Sequence, residues 1–196
     1  MDGIGLRQWE FAVPGNPTHT CWRYLVEDVM GRDAHGSSEG RHAWVLSPDY
    51  QRGPVWTMDQ QERFIGHVLA GGVVPPIYVQ RHEKADHAPV AEYWDLPCEV
   101  IDGQQRLRAI CSFVEGKIGA QVYHGGEWHH YTWAQMSKPE RRSMNVSSRI
   151  TFVDLSREDR LRFYLRLNGA GVAHSEEELD KVRRMLAEEF SDKHGE

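Results

Sequence analysis

The sequence predicts an α+β fold, in which helices flank a small mixed sheet. Residues 100–108 have the pattern of a strand that stops at a glycine and restarts as a helix. Upstream, Thr57 and Gln60 have capping-box spacing ahead of a helical apolar stripe, and a strand entered through prolines follows at Ile77. Downstream, two short segments joined by residues 125–126 are typical of a β-hairpin. Together these three observations indicate mixed helix and strand content.

The remaining elements follow from apolar periodicity and from residues that cap helices. Ser137 with Glu140, and Ser175 with Glu178, again have capping-box spacing, so a helix is predicted after each serine. The other predicted elements are a helix over residues 21–30, a strand over 43–46, a strand over 149–153 and a helix after Ser156.

Length and composition predict one globular domain. The chain has 196 residues, which is enough for a complete hydrophobic core. We divide it into an N-terminal extension over residues 1–43, a domain over 44–190 that contains the motifs, and a polar tail over 191–196. No apolar run approaches the ~20 residues of a membrane span, so no membrane partner is expected. The absence of a signal-peptide pattern and the unpaired spacing of the three cysteines predict a cytoplasmic protein.

Charge and motif content argue against several function classes. The formal net charge of −6 weighs against sequence-independent binding of duplex DNA. Eleven histidines are present, but they do not pair with one another or with cysteines at zinc-site spacing. The sequence has neither a Walker-type phosphate loop nor a Gly-x-Ser-x-Gly elbow, which disfavours Walker-type NTPases and α/β-hydrolases.

Polar side chains gather where the predicted helix begins after the strand at residue 101. Asp102, Gln104, Gln105 and Arg106 surround its N-terminus, and Gly103 lets a ligand approach the backbone. A helix N-terminus has free N–H groups and the positive end of the dipole, so it attracts phosphate or carboxylate. The leading interpretation is a site for a nucleotide phosphate. A plain glycine turn with Asp102 as the N-cap is the alternative.

A second polar loop, which contains Gln51 and Arg52, precedes the helix predicted after Thr57. Arginine presents a planar fork that matches phosphate oxygens in bidentate fashion. The loop is followed by a helix, a Gly-Gly turn, a strand and then the Asp-Gly-Gln-Gln-Arg string of residues 102–106. This order favours the anion site over the plain turn.

These motifs resemble those of the ParB/sulfiredoxin-like superfamily and, more closely, those of the N-terminal domain of GmrSD-type modification-dependent restriction proteins. The resemblance covers roughly residues 44–186. Family members often have Asn-Thr-Gly-Gly where this chain has Asn-Gly-Ala-Gly at residues 168–171. The matching strings are residues 50–52 with 55–56, 72–77, 101–107, and 163–171 followed by Ser175 and residues 178–179.

The resemblance implies a compact domain that binds a nucleoside triphosphate and, in some relatives, hydrolyses it. Arg52 and Arg106 would contact phosphate, and Asp102 would orient a water molecule or a Mg²⁺ ion. Gln104 and Gln105 would donate to phosphate oxygens or position the nucleophile. Asp102 and Gln105 are therefore the predicted catalytic residues. The predicted nucleotide-binding residues are Gln51, Arg52, Gly103, Gln104, Arg106 and Asn168.

Three functions stay open at this point. The first is a Mg²⁺-dependent enzyme that hydrolyses a nucleoside triphosphate or transfers its phosphate, in DNA modification or in defence between phage and bacterium. The second is a nucleotide-gated or DNA-sensing module without turnover, and the third is a metal-dependent DNA nuclease that uses Asp102. Restriction relatives carry an HNH-class nuclease domain, and the residues after the last predicted helix are too few to form one. The expected partners are therefore a nucleoside triphosphate and either DNA or a separate nuclease subunit.

Overall fold

A computed structural model describes residues 15–31, 43–81, 97–143, 146–169 and 176–190. The predicted α+β class is confirmed. Ser175 and the predicted polar tail lie outside the described residues. The helices are α1 (Trp22–Val29), α2 (Met58–Leu69), α3 (Gln104–Val114), α4 (Arg157–Gly169) and α5 (Glu176–Phe190). The strands are β1 (Gly15–Cys21), β2 (Ile77–Gln80), β3 (Glu99–Asp102), β4 (Ala120–His124), β5 (Glu127–Tyr131) and β6 (Ser147–Val153).

The four-stranded sheet has the order β1-β6-β2-β3. Strands β1 and β6 are antiparallel, β6 and β2 are parallel, and β2 and β3 are antiparallel. The sheet is therefore mixed, as predicted. Strands β4 and β5 form the predicted hairpin as a separate two-stranded sheet.

Local capping signals position α2 as the sequence predicts. The Thr57 hydroxyl accepts from the Gln60 backbone N–H at 3.3 Å, and the Gln60 side-chain oxygen accepts from the Thr57 N–H at 2.8 Å. These two bonds satisfy donors that the first helical turn leaves unpaired. The helix ends before Gly71, whose positive φ of 83° suits a residue without a Cβ.

Two predicted elements are wrong in kind or length. Residues 43–46 do not form a strand, because only Val45 makes a bridge, to Glu99 of β3. Pro48 has no N–H to donate to a ladder, and the chain turns away there. The helix predicted after Ser137 is a single 3₁₀ turn, Glu140–Arg142. It lacks an apolar face to bury, so packing does not extend it.

The N-terminal segment contributes to the same core as the motif-bearing elements. Strand β1 pairs with β6, and α1 buries Trp22 and Leu25 completely or nearly so. The Trp22 ring meets the ring of Phe113 from α3 edge-on, with centroids 6.1 Å apart. A second cluster, in which Ile101, Leu161 and other residues are buried, joins β3 to α4 and α5. Across the described segments, no helix is long and apolar enough to cross a membrane.

Candidate functional site

One cavity of about 250 Å³ brings together every residue that the sequence singled out. It lies where the β3–α3 junction, the loop over residues 51–56 and the C-terminal part of α4 meet. The predicted residues that line it are Gln51, Arg52, Asp102, Gly103, Gln104, Gln105, Arg106 and Asn168. The other lining residues are Trp56, Ile101, Tyr164 and Leu167. We call this the motif cavity.

Gly103 is the N-cap of α3, in a left-handed conformation with φ of 102°. L-residues with a Cβ rarely adopt this conformation. A Cβ built there would also lie 2.8 Å from a side-chain carbon of Ile77. No side chain caps the helix. The alternative of Asp102 as the N-cap is therefore wrong, and the first-turn N–H groups of α3 lie beside the lining residues of the cavity.

Arg106 is anchored along one wall of the motif cavity. One guanidinium nitrogen donates to the carbonyl oxygen of Pro75 and, at 3.1 Å, to that of Pro76. Another nitrogen pairs with the carboxylate of Asp102, four residues earlier. Only 12% of the Arg106 side chain is exposed. Its positive charge is therefore held in a defined place before any ligand arrives.

Gln51 fastens the polar loop to the end of β3. Its side-chain nitrogen donates to the carbonyl oxygens of Val100 at 2.6 Å and of Ile101 at 2.8 Å. These two carbonyls belong to the strand that leads into Asp102. The two bonds thus set the position of the loop relative to the start of α3.

Gln105 fastens the same loop from the helix side. Its side-chain oxygen accepts from the backbone N–H groups of Val55 and Trp56, at 3.1 and 3.3 Å. Its side-chain nitrogen donates to the carbonyl oxygen of Gly53 and to the side-chain oxygen of Gln104, at 3.1 and 3.0 Å. A glutamine amide offers two donors and two acceptor positions. All four are used here.

Gln104 is buried, and its side-chain nitrogen donates to the hydroxyl of Ser47. The same hydroxyl accepts from the guanidinium of Arg108 at 2.9 Å. The sequence did not single out Ser47, because it lies outside the matching strings. This contact connects the chain ahead of the polar loop to α3.

Arg52 is the more accessible of the two predicted arginines. Its guanidinium pairs with the carboxylate of Glu178 from α5 at 3.2 Å, and about a quarter of each side chain is exposed. The sequence predicted Glu178 as a capping residue and as part of the family resemblance, and the structure adds that its carboxylate pairs with Arg52 across the fold. Sequence spacing contains no signal for this contact, because the two residues are 126 positions apart.

Tyr164 and Asn168 line the motif cavity from α4. Burial raises the pKa of Tyr164 to about 12, and the carboxylates of Glu178 and Asp102 add to this while Arg52 opposes it. The phenol is therefore neutral at ordinary pH. Asn168 is buried, and its side-chain nitrogen donates to the carbonyl oxygen of Tyr164 at 2.8 Å. Tyr164 lies within the string over residues 163–171, and the sequence predicted no site role for it.

The donor set of the motif cavity suits a cation only in company with a phosphate. Asp102 is the one carboxylate among the described lining residues, and it pairs with Arg106. No cluster of three or more His, Cys, Asp or Glu residues suited to a metal occurs in the described segments. Mg²⁺ commonly takes one or two carboxylates together with the phosphate oxygens of a nucleotide and water. These residues fit that arrangement and do not form an all-protein cage.

The chain is similar to a known protein family over the region that contains the motifs. A family model described as GmrSD restriction endonuclease, N-terminal domain, matches residues 35–191. This range contains all the predicted site residues. No curated protein and no solved structure gives a significant match. Since the family model spans most of the chain, this protein belongs to the GmrSD restriction endonuclease N-terminal domain family.

Proposed function

We propose that the protein binds a nucleoside triphosphate in the motif cavity and hydrolyses it or transfers its phosphate. The observation that supports this most directly is the joint lining of one cavity by two arginines and the N-terminal residues of α3. Arg106 pairs with Asp102 and Arg52 pairs with the partly exposed Glu178, so a phosphate that displaces Glu178 gains the charge of Arg52 and anion binding is favoured. The dipole of α3 adds to this preference.

The name of the matched family supports a proposal about biological role. The matched family is named for a restriction endonuclease, so we propose a role in restriction or in phage defence. In such a system, DNA and a nuclease would be the partners of the nucleotide-binding domain. The mixed sheet and the strand–glycine–helix junction are consistent with the ParB/sulfiredoxin-like fold that the motifs resemble.

Three of the lining residues have direct roles toward phosphate or Mg²⁺ in this proposal. Arg106 binds phosphate without first having to be ordered, since its guanidinium is already anchored. Arg52 binds phosphate in exchange for Glu178. Asp102 would hold Mg²⁺ together with the phosphate oxygens, and the ion would neutralise charge on them. In hydrolysis, the oxygen of a water molecule attacks the γ-phosphorus, the bond from that phosphorus to the oxygen shared with the β-phosphate breaks, a proton from the water passes to solvent, and inorganic phosphate and the nucleoside diphosphate leave.

Gln105 needs a small rearrangement to act as a catalytic residue. Its four hydrogen bonds occupy the whole amide, so orienting a water requires it to give up one of them. The bond to Gln104 is the one whose loss leaves the loop in place, because the other three all go to the loop backbone. Closure of the cavity on a triphosphate would supply the interactions that drive this exchange.

Titration calorimetry with ATP, GTP, CTP and UTP, each with and without Mg²⁺, tests the proposal. One nucleotide should bind, and Arg106→Ala should weaken that binding at least about tenfold, or ~1.4 kcal/mol. Phosphate release should be lost in the same variant. Arg162→Ala is the matched control, since Arg162 pairs with Glu158 on the exposed side of α4. Absence of binding by all four nucleotides at millimolar concentration contradicts the proposal.

A binding module without turnover is the second candidate. Two observations favour it: the amide of Gln105 is fully occupied, and Asp102 is neutralised by Arg106. Tight nucleotide binding without phosphate release identifies this function. The metal-dependent nuclease has less support, because two-metal sites require several carboxylates and the described lining has one. Nicking of plasmid DNA that is lost in Asp102→Asn would favour the nuclease.

A further inference from the structure

A second cavity, of about 270 Å³, lies on the other side of Arg106 from the motif cavity. Its walls come from the end of α2, the turn and strand entry over residues 71–77, and the paired strands β1 and β6. Arg106 is the lining residue that the two cavities share. We call this the β1–β6 cavity.

The charged groups among the described lining residues of the β1–β6 cavity are the guanidinium groups of two arginines. His19 of β1 and Arg149 of β6 are directly opposite partners in the antiparallel register, so their side chains lie next to each other on one face of the sheet. Arg106 adds a second guanidinium, which also pairs with Asp102, and Ser147, on the same face of β6 as Arg149, adds a hydroxyl. No carboxylate occurs among the lining residues that the structure describes. This set of groups suits an anion and disfavours a cation.

The rest of the β1–β6 cavity is apolar. Phe64 and Val68 from α2 and Ile110 from α3 form part of its wall. Val73, between two lining residues, is 92% exposed. Binding pockets usually combine apolar walls with a few convergent polar groups. At about 270 Å³, the space is slightly below the range of roughly 300–1,000 Å³ of drug-sized pockets, which suits a small ligand.

We propose that the β1–β6 cavity binds a small aromatic anion, namely a single nucleotide, at a site separate from the motif cavity. The aromatic ring packs on Phe64 and its apolar neighbours, and the phosphate lies near His19 and Arg149. The nucleotide is either free or one residue of a single strand of DNA, since both present the same ring and phosphate. This proposal does not depend on triphosphate binding in the motif cavity.

Arg106 connects this site to the motif cavity. Its guanidinium is bonded to Pro75 and Pro76 on one side and to Asp102 on the other. A ligand that moves Arg106 toward the β1–β6 cavity therefore changes the position of the guanidinium that would bind phosphate in the motif cavity. Such coupling is reciprocal, so occupation of either cavity changes the affinity of the other by the same factor.

Titration calorimetry is done on the full chain in an Arg52→Ala background, which weakens binding in the motif cavity, and the variants described below then assign the remaining binding to the β1–β6 cavity. The probes are AMP and CMP, then adenosine and inorganic phosphate, which each lack half of the proposed ligand. At least one mononucleotide should bind, and adenosine and phosphate should each bind at least about tenfold more weakly. A short single-stranded DNA that binds more tightly than the mononucleotides identifies DNA as the source, and the reverse order identifies free nucleotide.

Two variants locate the binding. Arg149→Gln should weaken mononucleotide binding at least about fivefold, and Val74→Trp, which adds bulk at a half-buried lining position, at least about tenfold. Arg162→Gln, on the exposed side of α4, is the control and should stay within about twofold. Thermal unfolding of each variant verifies that it is folded.

The proposal is overturned by any of three results. These are no mononucleotide binding at millimolar concentration, binding that neither Arg149→Gln nor Val74→Trp changes, and phosphate binding as tight as that of the mononucleotides. Triphosphate binding to the protein with Arg52 intact tests the motif cavity, and neither Arg149 nor Val74 lines that cavity. Failure at one site can therefore be told from failure at the other.

Discussion

The two sides of the motif cavity are held in different ways. On the α3 side, neutral amides of Gln51 and Gln105 bond to the backbone of the polar loop and of β3. On the α5 side, ion pairs that are partly exposed make the connections, among them Arg52 with Glu178 and Arg157 with Asp49. Neutral bonds to backbone resist salt and pH, whereas partly exposed ion pairs exchange readily. The α3 side is thus ordered in advance, and the α5 side is the one that a ligand can displace.

The largest effect on stability is expected from a change on the α3 side. Gly103→Ala should lower the free energy of unfolding by about 2–5 kcal/mol, from a strained left-handed backbone and from contact with Ile77. Gly116→Ala separates the two causes, because Gly116 also has a positive φ but a Cβ there meets nothing within 4 Å. That control should cost only about 1–2 kcal/mol. Equal losses in urea unfolding would mean that the contact with Ile77 is unimportant.

The next effect concerns the loop on the same side. Gln105→Met keeps most of the side-chain volume and removes all four hydrogen bonds, so we expect a loss of about 1–3 kcal/mol in unfolding free energy. Amide hydrogen exchange at Val55 and Trp56 should accelerate, because their N–H groups lose their acceptor. Unchanged exchange at these two amides would show that Gln105 does not hold the loop.

A change on the α5 side should strengthen triphosphate binding. Glu178→Gln removes the charge that competes for Arg52, so triphosphate affinity should rise by about threefold to tenfold. Glu177→Gln, one residue earlier on α5 and exposed, should change affinity by less than about twofold. Weaker binding in Glu178→Gln than in Glu177→Gln would mean that Glu178 supports the site and does not compete for it.

The smallest effect is a pH response confined to the α5 side. The hydrogen bond from Arg157 holds the pKa of Asp49 below its ordinary value of 3.8, despite partial burial that raises it. A lowered pKa in the folded state means that the pair stabilises the fold above pH 3.8, and that this stabilisation is lost as pH falls through the folded pKa. NMR titration of Asp49 should give a midpoint below 3.8 that moves up toward it in Arg157→Gln. Equal midpoints in the two proteins would exclude the pair as the cause.

The pH dependence of amide hydrogen exchange tests the same difference between the α3 side and the α5 side. Arg157 also pairs with Glu189 of α5, so protonation of Asp49 weakens one of several polar contacts that hold this side together. After correction for the intrinsic rate, exchange in α5 should accelerate at low pH before exchange in the first turns of α3. The reverse order would mean that the amide contacts are the weaker set.

Sequence reasoning was strongest where one residue or one turn decides the structure. Thr57 and Gln60 predicted the start of α2, and the glycine at 103 predicted the boundary between β3 and α3, because these features depend on residues within four positions. It failed at residues 43–46, where apolar composition suggests a strand and Val45 alone finds a partner. A strand exists only if a neighbour supplies hydrogen bonds along its length, and composition does not reveal that.

The candidate site shows the same division between features that local sequence predicts and features that depend on distant partners. The sequence by itself determined which polar residues would gather, since the strings at 50–52 and 102–106 stand next to recognisable helix starts. Only the tertiary structure decided what each one touches: Gln105 reaches a loop about 50 positions away, and Arg52 meets Glu178 at 126 positions. Local patterns arise from backbone geometry and capping, which act over one helical turn. Contacts between distant residues depend on how helices and strands pack, and that packing is set by the whole core.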